Sequence, residues 1–140
     1  MIVNEIVDLK GFKGKGDGAV ARSWLQAATR QLQEVHEAMR QLKRETTAVR
    51  GHQFYLEVAS VTRHQRKTLR WRMRDGRHVS WPIIQRLLQL MPASMASWYR
   101  DTQLRAMWLN ANQVAAHANW RGAETFMETL RTAIREADVR

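Results

Sequence analysis

The sequence predicts a mainly helical α+β fold: a long antiparallel helical hairpin with a basic β-meander of two or three strands between its helices. Three observations predict it. Apolar residues step by three and four from Leu25 to Val49, which is the period of a helix packed along a narrow stripe. Between residues 53 and 81 the period changes to two, the spacing of a strand with one face covered. After Pro82 helical spacing resumes toward the C-terminus. We expect a single domain over 1–140, divided into an N-terminal segment 1–19, a helix 20–50, a meander 53–81 and helices over 82–138.

Each element has its own local signal. Residues 1–19 close on Lys10-Gly11-Phe12-Lys13-Gly14-Lys15-Gly16-Asp17-Gly18, where four glycines in nine residues predict a flexible loop. In the first helix Leu25, Ala28, Leu32, Val35, Met39, Leu42, Thr46 and Val49 form the stripe, and Gly51 is a suitable stop. The stripe predicts a partner helix, either later in the chain or in a second copy. Phe54, Leu56 and Val58 then alternate with Tyr55, Glu57 and Ala59, and Leu69, Trp71 and Met73 with Arg70, Arg72 and Arg74. Asp75-Gly76 predicts a tight turn, with Val79 and Trp81 available for a short third strand. Ser80-Trp81-Pro82 opens a helix, because proline in the first turn gives up a donor that had no partner. Pro92 ends that helix and starts another over about 93–120, in which Met95, Trp98, Leu104, Trp108 and Leu109 are the expected core; Gly122 is expected to interrupt before a last helix.

Composition narrows the function classes. With 44% apolar and 26% charged residues the chain can build a core, so wholesale disorder is not expected. Cysteine is absent, which excludes disulfides, thiolate metal sites and cysteine nucleophiles. MIVNEIVDLK offers neither a basic leader nor a signal-length apolar run, and no window nears the ~18 apolar residues of a membrane span, so a cytoplasmic location without membrane contact is expected. Formal charge is +10, carried by 23 Lys and Arg of which only five are Lys. Arginine's planar fork favours phosphate pairing and stacking, so the expected partner is a polyanion.

The charge is concentrated. Residues 63–77 hold Arg63, Arg66, Lys67, Arg70, Arg72, Arg74 and Arg77 against one acid, Asp75. With Leu69, Trp71 and Met73 turned inward, Arg70, Arg72 and Arg74 share the outer face about 7 Å apart, near the spacing of successive phosphates. These three are the expected main phosphate contacts, extended by Arg63, Arg66, Lys67 and Arg77 and assisted by Lys13 and Lys15. Tyr55 and His78 are candidates for a stacking surface beside them. The competing reading is a solvated strand face whose charges discourage edge-to-edge association.

Other constellations carry less. Lys13-Gly14-Lys15-Gly16 lacks the GxxxxGK[ST] arrangement of a phosphate loop and has no strand leading into it. A helix-turn-helix over Ile83–Arg105 would put Arg100, Gln103 and Arg105 on a reading helix, yet Trp98, Leu104 and Trp108 suggest that helix faces a core, and the meander comes first. His36, His52, His64, His78 and His117 are scattered without ligand spacing. Glu34 and Glu37 are expected to pair with Arg30 and with Arg40 or Gln41. Five of the six tryptophans read as packing anchors, with Trp120 the most exposed. No catalytic set, cofactor or metal is expected.

Phe12-Lys13-Gly14-Lys15-Gly16-Asp17, Leu69-Arg70-Trp71-Arg72 and the later region of Tyr99, Leu109 and Asn110 resemble an uncharacterised protein family of proteobacterial integrating conjugative elements and plasmids. The resemblance implies a mobile-element setting, where proteins commonly handle DNA, and transfers no site residues. The expectation is therefore a non-catalytic accessory nucleic-acid-binding protein, with DNA favoured over RNA. About five neutralised phosphates would give a log–log salt slope of about −4 to −5 on duplex DNA. The second expectation is a protein–protein adaptor or oligomerising element for an acidic partner, including a homodimer through the Leu25–Val49 stripe.

Overall fold

A computed structural model describes residues 16–61 and 66–139. The chain is mainly helical: α1 (Gly16–Ala48), β1 (Phe54–Ser60), β2 (Lys67–Met73), α2 (Trp81–Leu88) and α3 (Ala93–Val139). Contacts group residues 16–33 with 116–139 and, separately, 34–115 into two compact units, and both long helices contribute to each.

In the first unit α1 and α3 run in opposite directions. Ala21, Ala28, Ala116 and Ala123 are buried, and these small side chains let the backbones approach closely. The Trp24 indole packs on Phe126 at 5.9 Å and donates its N–H to Asn119 Oδ1 at 3.0 Å. Gly122 does not interrupt the helix, contrary to expectation. A Cβ there would lie 3.5 Å from the Trp24 ring, so glycine gives the indole its seat and the helix continues through it.

The second unit holds the sheet and the larger core. β1 and β2 pair antiparallel, with Leu56 opposite Trp71, Val58 opposite Leu69 and Glu57 opposite Arg70. The alternation reads as expected: Phe54, Leu56, Leu69 and Trp71 are buried with Met39 and Leu42 of α1, Ile84 and Leu88 of α2, and Tyr99, Ala106 and Leu109 of α3. Burial pushes the Tyr99 phenol above its ordinary pKa, while backbone hydrogen bonds from Phe54 and Gln53 pull it back.

Thr46 shows why a hydroxyl occupies the α1 stripe. Fully buried, it donates to the Lys43 carbonyl (2.8 Å) and accepts the Leu56 N–H (3.0 Å), satisfying an edge donor of β1. Met39, Leu42 and Thr46 are all covered by this chain's own residues. Of the two partners expected for the stripe, these positions meet this chain's own elements.

No third strand forms among the described residues. Arg72 and His78 make an isolated bridge, Val79 N–H donates to the Trp71 carbonyl, and Trp81 already begins α2. The Asp75-Gly76 turn is present, with Gly76 at φ 92, and Gly51 past the end of α1 has φ 71, both left-handed values that glycine adopts without strain.

What closes the far edge of β2 is a side chain. Asn110 of α3 accepts the Leu69 N–H at 2.7 Å and donates to the Leu69 carbonyl at 3.2 Å, as a neighbouring strand would. Asn110→Ala leaves both groups short of partners and is expected to lower stability by about 1–3 kcal/mol in urea unfolding. An unchanged midpoint would show that water replaces the amide there.

Candidate nucleic-acid interface

The basic track divides once partners are assigned. Arg72, half-buried, donates from Nε to the Glu57 carboxylate and from Nη1 to the Gly76 carbonyl. Glu57 stands opposite Arg70 in register but is taken by the diagonal neighbour Arg72. Arg77 Nε donates to Asp75 Oδ2 at 2.7 Å, and its backbone N–H donates to Asp75 Oδ1 at 3.0 Å. Those bonds, the backbone one first, hold the Asp75 carboxyl below its ordinary value. The pairing therefore persists from neutral pH down through the ordinary carboxylate range and is lost only as pH falls through the lowered value.

Arg72 and Arg77 thus have carboxylate partners nearby, the Arg77 pair solvent-exposed and the Arg72 pair partly buried. A period-two pattern shows which residues share a face but not which carboxylate lies across the ladder. Glu57 was visible in the sequence; its pairing depended on strand register, which an outer face does not fix.

Among the described residues, no carboxylate pairs with Arg66, Lys67, Arg70 or Arg74. Lys67 donates to Ser60 Oγ at 2.9 Å and keeps its charge. Arg70 is exposed in the middle of β2. Arg74 is exposed one residue past its end, where its N–H still donates to the Gln53 carbonyl. Arg70 is thus on the strand and Arg74 in the turn that follows it. Arg63, Lys13 and Lys15 lie outside the described residues, as does the Gly/Lys loop up to Lys15.

The expected stacking residues fall in one row. Tyr55 pairs with Arg72, and Arg72 bridges to His78, so the three share a sheet face. Tyr55 meets the His52 ring edge-on at 5.9 Å, whereas His78 is exposed.

The helix-turn-helix reading loses two of its three reading residues, Gln103 and Arg105, while Arg100 is exposed. Gln103 Oε1 accepts the Trp71 indole N–H at 2.7 Å, and Arg105 pairs with Glu45 of α1 at 2.9 Å. Glu37 pairs with Arg40, as expected, and also with Arg44. Hydrogen bonds from Arg44 and then Arg40 hold its carboxyl low. His36 contacts Gln113 through Nε2 at 3.0 Å, and among the described residues no group of three His, Cys, Asp or Glu is placed to hold a metal. No helix among them is long and apolar enough to cross a membrane.

The buried side of α3 also differs from expectation. Thr102, Ala106, Leu109, Gln113, Ala116, Ala123 and Met127 are buried, whereas Leu104, Met107 and Trp108 are 63%, 56% and 66% exposed. Small and polar residues make up most of the three-four seam, with Leu109 and Met127, while Leu104, Met107 and Trp108 lie off it. Trp108, not Trp120, is therefore the exposed indole; Trp120 is half-buried and packs on His117 at 5.7 Å. The steps from Thr102 through Ala106, Leu109 and Gln113 to Ala116 carried the signal, hidden because none of these but Leu109 is strongly hydrophobic.

Beside β2 the α3 surface forms a cleft of about 420 Å³, with Arg70 and His78 on one wall, Gln103 and Met107 on another, and Trp71 and Trp81 inside. Comparison with protein-family models, curated proteins and solved structures finds no match to this chain.

Proposed function

We propose that this is a non-catalytic, cytoplasmic nucleic-acid-binding protein, an accessory of a mobile element, that holds phosphates along its basic β-ribbon. The observation that carries the reading is the set Arg66, Lys67, Arg70 and Arg74, four cations without carboxylate partners among the described residues, clustered in one small ribbon. A chain of net charge +10 adds long-range attraction for a polyanion. Arg63, Lys13 and Lys15 extend the same chemistry, and DNA remains the favoured polymer on the resemblance to conjugative-element proteins.

Fluorescence anisotropy across a salt series tests it. Four phosphate contacts give a log–log slope of about −3.6 on duplex and about −2.8 on a single strand. A slope near zero would reject the reading. Glu57→Gln removes the carboxylate that neutralises Arg72 and should steepen the slope by about one, with tighter binding at low salt. An unchanged slope would mean that Arg72 stays committed to the Gly76 carbonyl.

A protein partner is the second reading, favoured now by the exposed Leu104, Met107 and Trp108 on α3 rather than by the α1 stripe. Light scattering with and without DNA separates the two, since a complex that forms only with protein would support the adaptor.

A further inference from the structure

We infer that the cleft between β2 and α3 receives one unpaired nucleobase while Arg70 holds a phosphate of the same strand. The inference rests on the nucleic-acid reading and adds a ligand class to it: single-stranded or locally unpaired nucleic acid.

The cleft's volume, about 420 Å³, lies within the range of about 300–1,000 Å³ found for small-ligand sites. Its lining is mainly apolar, and the flat surface it offers is that of Trp81, since Trp71 is almost fully covered. Trp81 is half-buried, its indole stacked on Trp71 at 6.0 Å and 29°, and Met107 adds a polarisable thioether that is mostly exposed. An isolated methionine at a surface needs no explanation, but here it lines a cavity opposite an indole pair.

The rim has what a base edge requires. Gln103 spends its Oε1 on the Trp71 indole, which fixes the amide's orientation, and its Nε2 hydrogens have no other partner among the described residues. The His78 imidazole is likewise without a hydrogen-bond partner among them and is exposed on the opposite wall. Arg70 stands at the lip, free of any carboxylate. An indole lining, two side chains with hydrogen-bonding capacity to spare and a cation together fit a base and its phosphate better than they fit an aliphatic ligand.

A duplex cannot present this combination, because its base faces are stacked and its Watson–Crick edges are engaged. The whole chain should therefore discriminate between strands of equal charge. Anisotropy at one fixed salt would compare a labelled single-stranded DNA, an RNA of the same sequence, the same DNA made abasic throughout, and a duplex. The base-bearing strand is expected to bind about tenfold tighter than the abasic one, the scale of one stacked base. Met107→Ala and His78→Ala, both at exposed positions, should remove most of that advantage while leaving the abasic strand's affinity unchanged. Equal binding of DNA and RNA would assign the contact to the base; a preference for either would add the sugar to the recognised set.

If abasic and base-bearing strands bind alike, with normal salt dependence, the cleft assignment falls and the phosphate track stands. If no polymer binds, both fall. Should the two variants weaken every ligand equally while melting as wild type, the cleft is also overturned, because the loss would then be electrostatic or global.

Discussion

Replacing Arg70 and Arg74 together with alanine is expected to weaken duplex binding about fiftyfold at ~0.1 M salt and to make the salt slope shallower by about 1.8. Both guanidinium groups lack carboxylate partners among the described residues, so their charges are available to phosphate at no cost in broken ion pairs. Each contact releases close to one counterion, which is why affinity and slope must change together. Both residues are exposed, and neither contributes an apolar body to the core cluster, so the fold should survive. Arg72→Ala serves as the contrast. It removes a cation already matched by Glu57, leaves that carboxylate unpaired beside Arg70, and lowers stability through the lost Gly76 contact. Its effect on the slope should then be about as large as that of Arg70→Ala alone, because Glu57 turns on a neighbour. If the double variant keeps wild-type affinity and slope while remaining folded, the phosphate track is elsewhere on the molecule.

How much of this was legible depends on which physical rule each residue obeys. Strand alternation is set by covalent geometry, so Leu69 and Trp71 facing the core could be read from period alone. The α1 stripe was equally plain, since Met39 and Leu42 are large and apolar at regular steps. The α3 seam was not, because Thr102, Ala106 and Gln113 are buried for their size or their hydrogen bonds rather than their hydrophobicity. Leu104 and Trp108 consequently pointed to the wrong side. Pairwise contacts were the least accessible. Glu57 to Arg72, Asn110 to Leu69 and Gln103 to Trp71 join residues 15, 41 and 32 positions apart, and no local pattern sets those distances. The site inherits that difficulty. Its strand could be found from sequence, but which of its arginines carry free charge is decided by long-range partners.

Trp71→Ala should be the most damaging single change, lowering stability by about 3–5 kcal/mol. The indole is 5% exposed, stacked on Trp81 at 6.0 Å and set against Tyr99 at 5.8 Å, so truncation opens a cavity where strand, α2 and α3 meet. Domains of this size are stable by only about 5–15 kcal/mol, which leaves the variant near its unfolding midpoint on mild heating. Trp71→Phe isolates the polar part of the loss. It keeps most of the ring contact but strips the donor from Gln103 Oε1, at an expected cost of about 1–3 kcal/mol. Adding Gln103→Leu to Trp71→Phe removes the orphaned acceptor too, and the double variant should recover part of that loss, a coupling measurable in a urea double-mutant cycle. Strictly additive costs would show that water already satisfies the Gln103 oxygen. Because Arg70 hangs from the same strand, these variants also separate folding from binding. Trp71→Phe should hold Arg70 in place and keep the salt slope, whereas Trp71→Ala should lose binding along the same thermal transition that melts the sheet. A binding loss preceding that melt would mean that the indole touches the ligand directly.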